Sequence, residues 1–123
     1  MARILVAEDN DIVRAFVVRA LGGDGHDLSE AVDGRSALAA LSASDGGFDL
    51  LLSDVKMPGM GGIELALAAD RKHPDVAIML MTGYADQRER AHGLDALVYD
   101  VISKPFSIDQ ITCAVREALV LRQ

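Results

Sequence analysis

Four apolar runs in the sequence each end in a side chain that can handle phosphate or a metal ion. Arg3-Ile4-Leu5-Val6-Ala7 meets Glu8-Asp9, and Phe48-Asp49-Leu50-Leu51-Leu52-Ser53 meets Asp54. Ala77-Ile78-Met79-Leu80-Met81 meets Thr82, and Val98-Tyr99-Asp100-Val101-Ile102-Ser103 meets Lys104-Pro105. Open α/β sheets bind ligands in the crevice at the carboxyl ends of their strands. As parallel neighbours, these runs would bring three carboxylates, one hydroxyl and one ammonium to a single spot. That set suits a divalent cation beside an aspartyl-phosphate.

Each group has a chemical reason to be there. A carboxylate ending a buried strand, such as Asp54, is costly unless something uses or satisfies it, and aspartate is a covalent acceptor of phosphoryl groups. A simple turn cap is the alternative for Asp54 alone. Glu8 and Asp9 add two like charges, which repel strongly where the local dielectric is low. A divalent cation resolves that conflict, and an all-oxygen ligand set points to Mg²⁺ or Mn²⁺. Asn10 or Asp11 can at the same time cap the helix that follows. Lys104 offers a point charge for Asp54 at rest and for a phosphoryl oxygen after transfer; Pro105 is expected in the cis form. Thr82 offers one hydroxyl donor, and Gly83 leaves room beside it. By contrast, His26, His73 and His92 show no ligand spacing, and Cys113 reads as an ordinary helical thiol.

The elements that must position these groups alternate in the manner of βαβ units with a parallel sheet. A helix over 11–21 places Val13, Phe16, Val17 and Ala20 on one face, and Gly22-Gly23 stops it. A weak second strand over 27–31 precedes Asp33-Gly34 and a helix burying Ala37, Leu38 and Leu41. Residues 42–47 read as a loop. The third and fourth strands are apolar on both faces, as central strands covered on each side must be. Residues 57–62 form a loop before a helix over 63–72. Residues 85–97 have few apolar anchors and make at best a loosely held helix. In the last helix, Ser107 and Gln110 form a capping box, followed by the stripe Ile108, Ile111, Val115 and Leu119. The expected fold class is α/β, a doubly wound five-stranded parallel sheet with helices on both faces. It is flavodoxin-like, with strand order 2-1-3-4-5 and right-handed crossovers.

Bulk properties narrow the function. The 123 residues make one domain, 50% hydrophobic and 25% charged, with enough chain for one real core. A net charge of −7 argues against direct nucleic-acid binding, which needs a basic surface. No apolar run approaches membrane-spanning length, and the first run meets Glu8-Asp9 too soon for a signal peptide. The single cysteine fits a reducing cytoplasm. A dinucleotide site is excluded because no glycine-rich turn follows the first strand.

Taken together, Glu8-Asp9, Asp54, Met57-Pro58-Gly59, Thr82-Gly83 and Lys104-Pro105-Phe106 resemble the response-regulator receiver domains of bacterial two-component signalling. The resemblance holds in order and spacing over residues 1–123, with no output domain attached. It implies that Asp54 takes a phosphoryl group from a sensor histidine kinase, a phosphotransfer protein or a small donor such as acetyl phosphate. Mg²⁺ would be held by Asp9, Asp54, the Lys56 backbone carbonyl and waters positioned by Glu8. Thr82 and Lys104 would bind the phosphoryl oxygens, and movement of Thr82 would reshape the face made by residues 85–97, the fifth strand and the last helix. Such a protein is a switch and not an enzyme, promoting only its own phosphorylation and dephosphorylation.

Three departures from the family pattern matter. Val101 stands where the family's switch aromatic belongs; Tyr99, two residues earlier, should share its face by strand alternation. Gly61-Gly62 replaces an acidic residue and gives a more permissive backbone. Lys56 and Tyr84 sit where the family tunes access of water to the phosphate. Two rival readings follow: a receiver that binds partners without phosphate, which Val101 favours, and a phosphatase of the haloacid-dehalogenase type built on Asp9 and Asp11.

Overall fold

The structure, a computed structural model, describes residues 2–44, 47–83 and 98–121. β1 (Arg3–Ala7) leads into α1 (Asp11–Gly23), β2 (Asp27–Ala31) into α2 (Gly34–Ala43), and β3 (Leu50–Asp54) into α3 (Gly62–Lys72). β4 (Ala77–Thr82), β5 (Asp100–Ser103) and α4 (Ile108–Leu121) complete the described elements. The five strands form one parallel sheet in the order β2-β1-β3-β4-β5, the expected doubly wound arrangement. The helix expected over 85–97 lies outside the described residues.

Alternation along the strands sends side chains to two cores. Leu5, Leu51, Ile78, Leu80 and Val101 pack under α2 and α3 through Ala37, Leu41, Leu65 and Ala69. Ile4, Val6, Leu50, Leu52, Met79 and Met81 pack under α1 and α4 through Val17, Leu21, Ile111 and Val115. β3 is buried along its whole length. This is why its sequence is apolar without alternation.

Caps set the helix starts. The Asn10 side-chain oxygen accepts from the Ile12 and Val13 N–H groups at 2.9 and 3.1 Å, and Asp33 accepts from the Ser36 N–H at 2.8 Å. Ser107 and Gln110 exchange the two bonds of a capping box at 2.7 and 3.1 Å. α1 runs through Gly22-Gly23 to a cap at Asp24; the left-handed turn falls on Gly25, at φ +89°.

Two residues expected in buried stripes lie at their edges. Phe16 is 38% exposed and meets the Phe106 ring at 6.1 Å between centroids. Ile108 is 54% exposed, because it begins α4 before the helix has turned onto the sheet. Among the described residues, no helix is long and apolar enough to cross a membrane.

The register aligns the strand ends that carry chemistry. Ala7 pairs with Ser53, so Glu8 follows at the level of Asp54. Asp54 pairs with Met81 and Thr82 with Ser103, so Lys104 follows one step further. The central strand carries this alignment. Leu51→Ala, at a fully buried position, should lower stability by about 2–5 kcal/mol, measured by urea denaturation. A loss well under that range would mean that β3 is not the packed centre of the sheet.

Candidate functional site

The carboxyl ends of β1, β3 and β5 open on a cleft of about 610 Å³ lined by Glu8, Asp9, Asp54, Lys56, Met57 and Lys104, among others. Carboxylate oxygens of Glu8, Asp9 and Asp54 lie within 4.8 Å of one another. The Lys104 ammonium reaches between two of them, 2.7 Å from Glu8 Oε1 and 3.3 Å from Asp54 Oδ1. Sequence reasoning paired Lys104 with Asp54 alone; its shorter contact is to Glu8. Three carboxylates against one ammonium leave two negative charges, which one divalent cation would balance. An oxygen-only donor set of this kind fits Mg²⁺ or Mn²⁺.

The carboxylates are not equivalent. Glu8 is fully buried and both its oxygens are engaged, one by Lys104 and the other by the Asn10 N–H at 3.2 Å. Asp9 faces solvent, and Asp54 is 7% exposed. Asp54 Oδ1 also accepts from the Val55 N–H at 3.0 Å, while the Ser53 hydroxyl donates to the Asp54 carbonyl at 2.9 Å. These bonds hold the Asp54 backbone and carboxylate in one orientation. Burial alone would lower the Lys104 ammonium's affinity for its proton, but Glu8 and Asp54 outweigh it and the pKa ends above the usual value. Partial burial, followed by the hydrogen bond to Glu8, raises the Asp9 carboxyl.

Lys104–Pro105 is a cis peptide, as expected. Thr82 is buried at the end of β4 and does not line the cleft; Gly83 beside it does. The Thr82 carbonyl instead accepts from the Lys104 N–H at 2.8 Å, tying β4 to the lysine's backbone. Tyr99 and Val101 do not share an environment. Val101 is buried with Leu80 and Val98, whereas Tyr99 stands just before β5, exposed, with its phenol pKa raised by partial desolvation and then by Glu117 and Asp100. Tyr84 lies outside the described residues.

Two contributors were missed in the sequence. Gly62 was read as a source of backbone freedom, but its role is steric. A Cβ there would lie 2.0 Å from the Asp54 carbonyl oxygen, and the Gly62 N–H bonds the Val55 carbonyl at 2.8 Å. The start of α3 is thereby pressed against the strand end that carries Asp54. The available signal was a pair of glycines at a helix start, Gly61 at the position where a capping side chain is usual and Gly62 directly after it. Arg14 was read only as part of α1. It pairs with Asp11 at 2.6 Å. Asp11, which the phosphatase reading needs beside Asp9, is not among the residues lining the cleft, and the carboxylate cluster there is Glu8, Asp9 and Asp54.

Comparison with known proteins identifies the family. The family model described as the response regulator receiver domain matches residues 4–116. The chain belongs to the response regulator receiver family of two-component signalling. It is 37% identical to the response regulator receiver protein CpdR of Brucella abortus over 120 residues, 98% of each chain. It is 33% identical to the transcriptional regulatory protein TcrA of Mycobacterium tuberculosis, covering 93% of this chain and 44% of that one. It is also 35% identical to the sensor kinase CckA of Brucella abortus, covering 96% of this chain and 12% of the kinase. The chain therefore spans less than half of TcrA or CckA.

Among solved structures, a receiver domain protein from Clostridium thermocellum superimposes with a TM-score of 0.90 at 20% identity, over 99% and 97% of the two chains. That likeness concerns the fold alone. TrrA from Thermotoga maritima, solved with Mg²⁺ and BeF, superimposes with a TM-score of 0.86 at 29% identity, over 96% and 99%.

The raised Asp9 pKa carries a sign. The folded state holds the Asp9 proton more tightly than the unfolded chain does, so the ionised carboxylate costs stability above its folded pKa. Below the unfolded value of 3.8, Asp9 is protonated in both states and the cost is absent. In cation-free buffer, Asp9→Asn should therefore raise the urea midpoint at pH 7, with the gain shrinking as pH falls into the carboxylate range. A variant less stable than wild type at pH 7 would contradict the crowding of these carboxylates.

Proposed function

We propose that this chain is a phosphorylation-dependent switch in which Asp54 is the phosphoacceptor, and that its donor is a sensor histidine kinase or a phosphotransfer protein. One observation carries the reading. Asp54 closes the central strand, nearly buried, yet opens into a cleft where Lys104 stands 3.3 Å away and Asp9 and Glu8 complete an acidic cluster.

The step is a nucleophilic displacement. An Asp54 carboxylate oxygen attacks the phosphorus, an acyl–phosphate bond forms, and the donor's P–N bond breaks to release the histidine. With acetyl phosphate, a P–O bond breaks and acetate leaves. Asp9, Asp54 and the Lys56 backbone carbonyl, with waters ordered by Glu8, would hold Mg²⁺, or Mn²⁺ as the alternative, and the ion would supply charge neutralisation for the transferring group. Lys104 follows the charge from the carboxylates to a phosphoryl oxygen. The backbone bond to Thr82 holds the base of its side chain in place.

Thr82 stands outside the cleft in this structure, which supports a switch in which its hydroxyl moves inward to a phosphoryl oxygen. Phosphorylation then biases an existing two-state equilibrium and alters the partner-binding face at β5 and α4; residues 85–97, expected to share in it, lie outside the described residues. Val101, small and buried, and Tyr99, exposed, divide the place of the family's single aromatic, so Thr82 carries the switch with little help from a rotating ring. The solved complex of TrrA with Mg²⁺ and BeF supports the chemistry, and the similarity to a sensor kinase supports the pathway. A cytoplasmic location and the absence of a direct nucleic-acid contact go with this reading.

A second reading, a receiver that binds partners without phosphate, is favoured only by Val101. The two are separated by intact-protein mass after acetyl phosphate treatment, with and without Mg²⁺. Wild type should gain one phosphoryl group only with Mg²⁺, and Asp54→Ala none, while the variant stays folded by urea denaturation. A wild type that takes no phosphate, and whose partner-binding face is unmoved by Mg²⁺ with beryllofluoride, would establish the second reading. An Asp54→Ala variant that unfolds easily would make Asp54 a structural residue.

A further inference from the structure

We propose that Arg14 is a positioning residue for the cation site, acting through the backbone that joins Glu8 to Asp9; the inference rests on the proposed function of that site. Arg14 lies on α1, outside the cleft, yet its side chain is only 13% exposed. Each guanidinium nitrogen has a partner. Nη1 donates to the Glu8 carbonyl at 2.8 Å, Nε to Glu30 Oε1 at 3.0 Å and Nη2 to Asp11 Oδ1 at 2.6 Å.

The bond to the Glu8 carbonyl is the informative one. β1 ends at Ala7 and its ladder to β3 ends at the Ala7–Ser53 pair, so the Glu8 carbonyl lies past the sheet. Its N–H still reaches back to the Ala31 carbonyl at 3.0 Å. The Glu8 carbonyl that Arg14 binds belongs to the peptide plane between Glu8 and Asp9. Fixing the plane fixes the directions in which the two carboxylates leave the main chain, one toward Lys104 and one toward solvent. The planar fork of arginine suits this task, because it binds three acceptors at set angles where lysine offers a compact point charge.

Glu30, on β2, and Asp11, in the first turn of α1, hold the fork from two sides. Two carboxylates around one guanidinium leave no excess positive charge to project into the cleft, so Arg14 acts by geometry and not by its field. A residue that serves only to tie α1 to β2 would show the same ion pairs without an effect on the cation.

Mn²⁺ binding to wild type, Arg14→Ala and Arg14→Lys, followed by electron paramagnetic resonance, separates these roles when read beside each variant's urea midpoint. Residues that orient metal ligands typically contribute about 10-fold or more in affinity. Arg14→Ala should lose that much Mn²⁺ affinity. Arg14→Lys, which keeps one ion pair and so guards against a variant that fails to fold, should recover stability but not affinity. Mn²⁺ affinity equal to wild type in a folded Arg14→Lys or Arg14→Ala, with only the midpoint lowered, would overturn the inference and leave Arg14 a structural tie. No Mn²⁺ binding by wild type would instead overturn the reading of the site on which this inference rests.

Discussion

The Lys104 ammonium holds apart two carboxylates that could not otherwise share a buried corner. It lies 2.7 Å from Glu8 and 3.3 Å from Asp54, and Glu8 has almost no contact with water. An unpaired charge at the Glu8 position would cost several kcal/mol, roughly 3–5 when one partner of a buried pair is removed. Lys104 offsets that cost but neutralises only one of three negative charges. The site is left stable enough to fold and still short of balance. That shortfall is what gives a divalent cation, and then a phosphoryl group, something to bind to.

Everything else in the chain serves to bring those groups to one level. The parallel sheet brings β1, β3 and β5 to an end at the same side, and the register sets Glu8 beside Asp54 with Lys104 two strands further on, beyond β4. Behind them the backbone is packed without slack. The start of α3 presses on the Asp54 carbonyl at Gly62, and Arg14 grips the Glu8 carbonyl from the other side. Rigid walls around one cationic side chain suit a site that must keep its geometry while its charge changes.

Much of this was legible in the sequence, because strand ends in a parallel sheet are marked by where apolar runs stop. Asp54, Glu8, Asp9 and Lys104 were found that way, and the strand order followed from alternating strands and helices. What escaped were effects carried by backbone atoms. Nothing in the residue type of Gly62 says that a carbonyl oxygen lies where its side chain would be, and nothing in Arg14 says that it reaches past its own helix to a peptide bond. Phe16 and Ile108 fit the helical period of their stripes but sit at the edge of what the sheet can cover. Tyr99 was placed by strand alternation, yet it stands before the first residue of β5.

The central claim is that the two charges left uncompensated by Lys104 form a cation site joined to Asp54. Its most direct test is the urea midpoint of the wild-type protein as Mg²⁺ is raised through the millimolar range at constant ionic strength. A ligand that binds only the folded state stabilises it by RT ln(1 + [L]/Kd). The midpoint should climb with Mg²⁺ in that form and stay flat in Asp9→Ala. A wild-type midpoint indifferent to Mg²⁺, or one that rises equally in Asp9→Ala, would contradict the account.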